Sequence, residues 1–155
     1  MRRFLAVFAV VANLALVDAV VKELAAGYLK GSAAVSVITD VFNLAYVENR
    51  GCAWGMLQGR VWALAAFAVI VMAVLVWRRK SIFGNSRIGF AAECLLYAGI
   101  VGNLIDRVFR GYVIDMFDFH FRSSHFPCFN LADSYITIAV VLLLFIPDFW
   151  YNKRV

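Results

Sequence analysis

Residues Val61–Trp77 read VWALAAFAVIVMAVLVW, an apolar run without one charged side chain. A helix that is apolar all round belongs either in the middle of a large core or in a lipid bilayer. Composition decides between the two, because 64% of the 155 residues are hydrophobic and only 16% are charged, where soluble domains carry about a quarter. The chain reads as a membrane protein. Working outward, Phe4–Val21, Ile88–Ile105 and the stretch from Ser134 to Tyr151 also approach the roughly 17–25 residues of a helical span. The expected fold is all-α and polytopic, a single membrane-embedded domain over 1–155 with four transmembrane helices at about 4–21, 61–77, 88–105 and 134–151. Phe149, Trp150 and Tyr151 fit an interfacial aromatic belt at its end.

The net charge of +5 does not point to nucleic acid, since no basic stripe with interleaved aromatics is present. Basic residues instead mark the ends of apolar runs. Arg2, Arg3, Arg78, Arg79, Lys80, Arg87, Lys153 and Arg154 crowd into three short segments, whereas Lys22, Lys30, Arg50, Arg60, Arg107, Arg110 and Arg122 are spread over two longer loops. The denser clusters place both termini in the cytoplasm and the loops at about 22–60 and 106–133 outside. A signal peptide is the competing reading of the first run, disfavoured because Asp18 interrupts it and no small-residue cleavage site follows.

The outward loops hold the polar chemistry. VSVITDVFNLAYVENRGCAWG, Val35–Gly55, alternates β-branched and aromatic residues with polar ones, so a small outward-facing β-sheet is expected there. Asn49, Gly51 and Gly55 break the pattern as a turn would, and Trp54 suits the interface; a plain hairpin tip and a functional loop are equally good readings of this segment. In the second loop, Asn103, Asp106 and Arg107 lie at the outer end of the third run, and Arg107 is expected to satisfy a carboxylate across the bundle, with Asp18 as candidate. A structural ion network is the favoured reading of Asp18, Asp106 and Arg107. Asp115 and Asp133 adjoin apolar segments on different sides of the loop. Brought together they would share a proton, one taking a proton from water while the other serves the substrate oxygen. Helix capping is the commoner use of an Asp in the position of Asp133, and on local sequence it outweighs the dyad.

Other chemistries find less support. His120 and His125 lack a zinc-ligand spacing, and Ser123, Ser124 and Ser134 lack a nucleophile motif. No metal or cofactor is expected. Cys52 and Cys128 share the outer side and could pair; Cys94 falls inside the third run. Gly99 and Gly102 suggest close helix packing. Glu93, within the third run, is expected to snorkel or to bond between helices.

Taken together, Asp18 with Lys22, NRGCAWG at Asn49–Gly55, GNLIDR at Gly102–Arg107, GYVIDMFD at Gly111–Asp118 and FPCFNLADSYI at Phe126–Ile136 make the chain resemble, over essentially its whole length, the bacterial lipoprotein signal peptidases, or type II signal peptidases. The resemblance implies an aspartic endopeptidase of the inner membrane that cuts a prolipoprotein before its diacylglyceryl-modified cysteine. It places the catalytic pair on Asp115 and Asp133 and supporting residues on Asp18, Asn49, Gly51, Asn103, Asp106, Arg107, Asn130 and Ala132. Trp54, in the loop ENRGCAWG, is read as part of a mobile clamp over the substrate. One departure is visible, Ala19 standing where the family's first motif usually has glutamine. Lipidated prolipoproteins and membrane lipid are the expected partners, and a monomer the expected state. The alternative class, an ion-coupled transporter, would run a proton path through Asp18, Glu93 and Asp133.

Overall fold

The computed structural model describes residues 2–52, 56–121 and 124–146. Helix α1 spans Arg2–Leu29, α2 Val61–Trp77, α3 Arg79–Phe83, α4 Arg87–Phe109 and α5 Leu131–Leu144. Strands β1 (Val35–Ile38), β2 (Phe42–Asn49), β3 (Val113–Phe121) and the two-residue β4 (Ser124–His125) form one antiparallel sheet in sequence order. The sheet joins the C-terminal ends of α1 and α4 and the N-terminal ends of α2 and α5. Trp54 and the aromatic trio Phe149–Trp150–Tyr151 lie outside the described residues.

The local signals for these elements are conventional. Ser86 caps α4 by accepting from Gly89 N at 3.0 Å, and α4 stops before Gly111, whose φ of +76° a side chain would resist. Helix α5 begins with a capping box in which Asn130 accepts from Asp133 N at 3.0 Å and Asp133 accepts from Asn130 N at 3.2 Å. Strand β2 realises the alternation seen in the first loop. Strand β3 was not expected, although FDFHF at Phe117–Phe121 alternates in the same way. It pairs with β2 in a register that sets Val47 opposite Asp115 and Asn43 opposite Asp118.

Polarity is inverted relative to a soluble protein. Large apolar side chains such as Phe8, Leu16, Trp62, Phe67 and Ile70 face outward, while Asp18, Lys22, Glu93, Asn103 and Asn130 are buried. An outer face this apolar is suited to lipid. Two helices, α1 and α4, are long and apolar enough to cross a membrane; α2 with 17 residues and α5 with 14 are shorter apolar helices. The first run also extends further than expected, so Lys22 lies inside α1 rather than at the start of a loop.

Helix α4 is the hub, packing against α1, α2 and α5. Its contact with α5 depends on small residues. A Cβ at Gly99 would collide with the Ala132 carbonyl and the Ile136 side chain, and one at Gly102 would meet Asp18 Oδ2 at 2.5 Å and Ala132 Cβ at 3.3 Å. These approaches bear out the reading of Gly99 and Gly102 as packing positions. Helices α2 and α5 flank α4 without a substantial interface of their own. At the far end of the bundle Glu93, fully buried, accepts from Arg3 at 3.1 Å and from Arg79. The intramembrane acid thus ties α1 to the α3–α4 corner by interhelical bonding. Gly99→Ala is expected to destabilise the protein by about 1–3 kcal/mol through overpacking against a backbone carbonyl, measured as a lower unfolding temperature in detergent.

Candidate active site

Asp115 and Asp133 come from different elements, and one local pairing brings them to the same place. Phe129 forms a bridge with Phe117, its carbonyl accepting from Met116 N at 3.1 Å and Phe117 N at 2.9 Å. The chain is thereby held against β3 one residue before Asn130 starts α5. Asn130 Nδ2 then reaches Asp115 Oδ1 at 2.7 Å, while Asp133 sits on the first turn of the same helix. Asp133 caps α5 and is also linked to Asp115 through the Asn103 and Asn130 amides.

Three asparagine amides hold the two carboxylates, Asn130 and Asn103 linking them and Asn49 serving Asp115 alone, and the polarity of each is fixed by an obligate donor. Gly51 N donates to Asn49 Oδ1 at 2.9 Å, so Asn49 Nδ2 turns to Asp115 Oδ2 at 2.9 Å. Asp133 N donates to Asn130 Oδ1, which leaves Nδ2 for Asp115 and for Asn103 Oδ1 at 3.2 Å. Lys22 Nζ donates to Asn103 Oδ1 at 3.1 Å, so Asn103 Nδ2 turns to Asp133 Oδ1 at 2.7 Å. A backbone N–H and an ammonium can only donate, so no amide here can be reversed without losing a bond.

Around this centre the supporting residues take definite positions. Asp18, 1% exposed, pairs with Lys22 Nζ at 2.7 Å and accepts from Ala132 N at 2.9 Å. Asp106 pairs with Lys22 at 3.0 Å and with Arg110 at 3.0 Å, and accepts from Ile114 N at 3.3 Å. The expected partnership of Arg107 with Asp18 does not form. Lysine occupies that role because it lies one turn along the same helix, and Arg107 instead donates to the carbonyls of Asn103 and Gly51, each at 3.3 Å. Gly51 is confined as well, since a Cβ there would meet Met56 O at 2.5 Å. Every proposed site residue except Trp54, which is not described, falls in this cluster. Lys22 was recognised in a motif but not as a site residue; its signal was a lysine four residues after an aspartate inside an apolar run.

The cluster opens into a cavity of about 1200 Å³ whose polar end holds Asn49, Asn103, Asp115 and Asp133 and whose apolar walls include Phe67, Val71 from α2 and Ile136 from α5. Burial, and next the charge of Asp133, push the Asp115 carboxyl up to about 7 against the pull of the Asn49 and Asn130 donors. Cys52 and Cys128 also border this space as free thiols. Burial pushes the Cys128 thiol up to about 12, so it is a poor nucleophile there.

An apolar-surfaced helical bundle with a carboxylate pair at the head of an apolar cavity is the architecture of a membrane enzyme. Residues 10–147 match the family described as signal peptidase (SPase) II. Lipoprotein signal peptidases from Halothermothrix orenii and Caldanaerobacter subterraneus are similar, the first 37% identical over 96% of this chain and 98% of its own, the second 41% identical over 86% and 90%. Among solved structures, a bacterial membrane enzyme determined at 2.3 Å superposes with a TM-score of 0.81 at 32% identity, covering 96% of this chain and 92% of the other. The chain belongs to the signal peptidase II family and is a membrane protease. The transporter reading falls with that assignment; Glu93, which would have lined its proton path, is closed off by two arginines.

Asn49→Ala removes one of the two side-chain donors that pull Asp115 down. Its carboxyl should titrate above about 7 in the variant, read from the protonated-carboxyl infrared band as pH is raised.

Proposed function

We propose that the chain removes signal peptides from prolipoproteins as an aspartic endopeptidase, cutting before the lipidated cysteine with Asp115 and Asp133. The supporting observation is the pair itself, two carboxyls on separate elements joined through Asn130 and Asn103 at the mouth of an apolar cavity. A signal helix and a diacylglyceryl chain both want apolar walls, and the bond to be cut needs water; the cavity offers both at one end.

In this mechanism the shared proton rests on Asp115, whose carboxyl is held up to about 7. The Asp133 carboxylate takes a proton from the attacking water as its oxygen bonds to the scissile carbonyl carbon, and Asp115 gives its proton to the carbonyl oxygen. The proton on Asp133 then passes to the leaving amine as the tetrahedral species collapses, and Asp115 recovers its own from the collapsing hydroxyl. Arg107, whose charge faces both aspartates, limits the accumulation of negative charge in the site. The whole chain acts as one domain of the inner membrane, with α1, α2, α4 and α5 as four crossings, both termini cytoplasmic, the site at the outer face and the protein monomeric. The segregation of Arg3, Arg79 and Glu93 to the end away from the sheet supports that orientation.

Asp115→Asn and Asp133→Asn should each lower cleavage of a purified lipidated prolipoprotein by about 10²-fold or more, with circular dichroism and melting temperature preserved. Full activity in either variant would remove the dyad. Because Asp115 must carry a proton, activity should fall as pH rises through about 7; a rate that climbs through this range would exchange the roles of the two aspartates. A cysteine introduced at Ser32 should label from outside intact cells and a reporter fused after Lys153 should read as cytoplasmic, the opposite pattern overturning the orientation.

A further inference from the structure

Lys22 touches neither aspartate of the pair, yet it is among the most enclosed side chains of the protein at 1% exposure. Its ammonium has three acceptors, Asp18 Oδ2 at 2.7 Å, Asp106 Oδ2 at 3.0 Å and Asn103 Oδ1 at 3.1 Å. Two of these would suffice to neutralise it. The third is the amide that serves Asp133. An asparagine between two carboxylates can turn its NH2 either way, and only a group that cannot accept decides the matter. Lys22 holds the amide oxygen of Asn103 and so delivers Nδ2 to Asp133.

We propose that Lys22 is a positioning residue of the peptidase reaction, setting the direction of the Asn103 amide and through it the donor that Asp133 receives. The proposal rests on Asp115 and Asp133 being the reacting pair. Asp18 completes the device, because the carboxylate that pairs with Lys22 also accepts from Ala132 N. One ion pair on α1 therefore indexes both the amide that serves Asp133 and the helix turn that carries it. Asn130 Nδ2 gives its second hydrogen to Asn103 Oδ1 at 3.2 Å while serving Asp115 at 2.7 Å; the Lys22 ammonium, at 3.1 Å, is the charged and closer of the two donors that hold that oxygen.

The charged groups around the pair are Lys22 and Asp18 from α1, Arg60 at the foot of α2, Asp106 and Arg107 from α4, and Asp118 on β3, with the Cys52 and Cys128 thiols nearby. Lys22 is one of the influences that draw Asp115 down. Its loss therefore moves the alkaline limb of the rate profile to higher pH, an effect that loosened packing alone would not have.

Lys22→Met strands Asp18 in a buried setting and risks misfolding, so the decisive variant is Lys22→Met with Asp18→Asn. It removes the ion pair as a neutral unit and leaves Asp106 its partner Arg110 and its bond from Ile114 N. The double variant should fold, bind an uncleavable lipopeptide with an affinity within about threefold of the parent, and lose about tenfold or more in kcat, with its alkaline limb close to the parent's because the unit removed carries no net charge. Lys22→Arg, which preserves an obligate donor, should recover part of the rate. A double variant with the parent's kcat would overturn the proposal, as would a loss shared equally between binding and kcat or a Lys22→Arg variant no faster than the double variant. Asp133→Asn measured alongside separates the two readings: its inactivity upholds the pair whatever Lys22 shows, and its full activity removes the pair itself.

Discussion

The ion pair between Lys22 and Asp18 is the contact from which the rest of the site is set out. Charges taken out of water at the end of an apolar bundle are costly unless each is matched and hydrogen-bonded. Lys22 is matched by Asp18 and Asp106, Asp106 by Arg110, and Asp18 by the Ala132 amide. Removing one member would leave the others buried and uncompensated, at a cost of about 3–5 kcal/mol. The geometry of α1, α4 and α5 at this level is thus held by electrostatics that tolerate little displacement, and Asn103 takes its orientation from it.

The same logic explains why uncharged amides surround the aspartates. A lysine or arginine bonded directly to Asp115 would favour its ionised form and so work against the effect of burial. Asparagine donors fix carboxyl oxygens with less charge bias, so burial prevails and Asp115 stays near the middle of the physiological range. The arginine that is present, Arg107, is bonded to carbonyls and acts on the pair only through space.

Much of this was legible in the sequence, and what was not has physical reasons. The apolar runs announced the helices, and the alternation after Val35 announced β1 and β2. Strand β3 was not legible because its first half, residues 113–116, is buried on both faces and so lacks the alternation that Phe117, Phe119 and Phe121 show further on. The site residues were reached through ordered motifs, since single aspartates at helix ends look alike whether they cap, pair or react. Arg107 was given the wrong partner because distance along the chain does not tell which cation reaches a carboxylate first. A lysine one turn away on the same helix wins over an arginine that must cross the bundle. The interhelical bonding expected of Glu93 is present, but its partners were not legible because Arg3 and Arg79 lie 90 and 14 residues away.

The backbone approach at Gly99, Gly102 and Ala132 has a mechanical consequence. Where two helices touch through glycine, there is no side-chain layer to compress or rearrange, and sliding one past the other drives a carbonyl into a Cα. Helices α4 and α5 accordingly behave as one stiff beam, with Asp133 mounted on it. Helix α2 meets only one side of that beam and leaves α5 free across the cavity. A widening of the cavity between α2 and α5 would therefore leave the α4–α5 contact in place. Asp133 thus belongs to the stiff side of the cavity, while Asp115 is carried by the sheet and meets it only through the Asn130 and Asn103 amides.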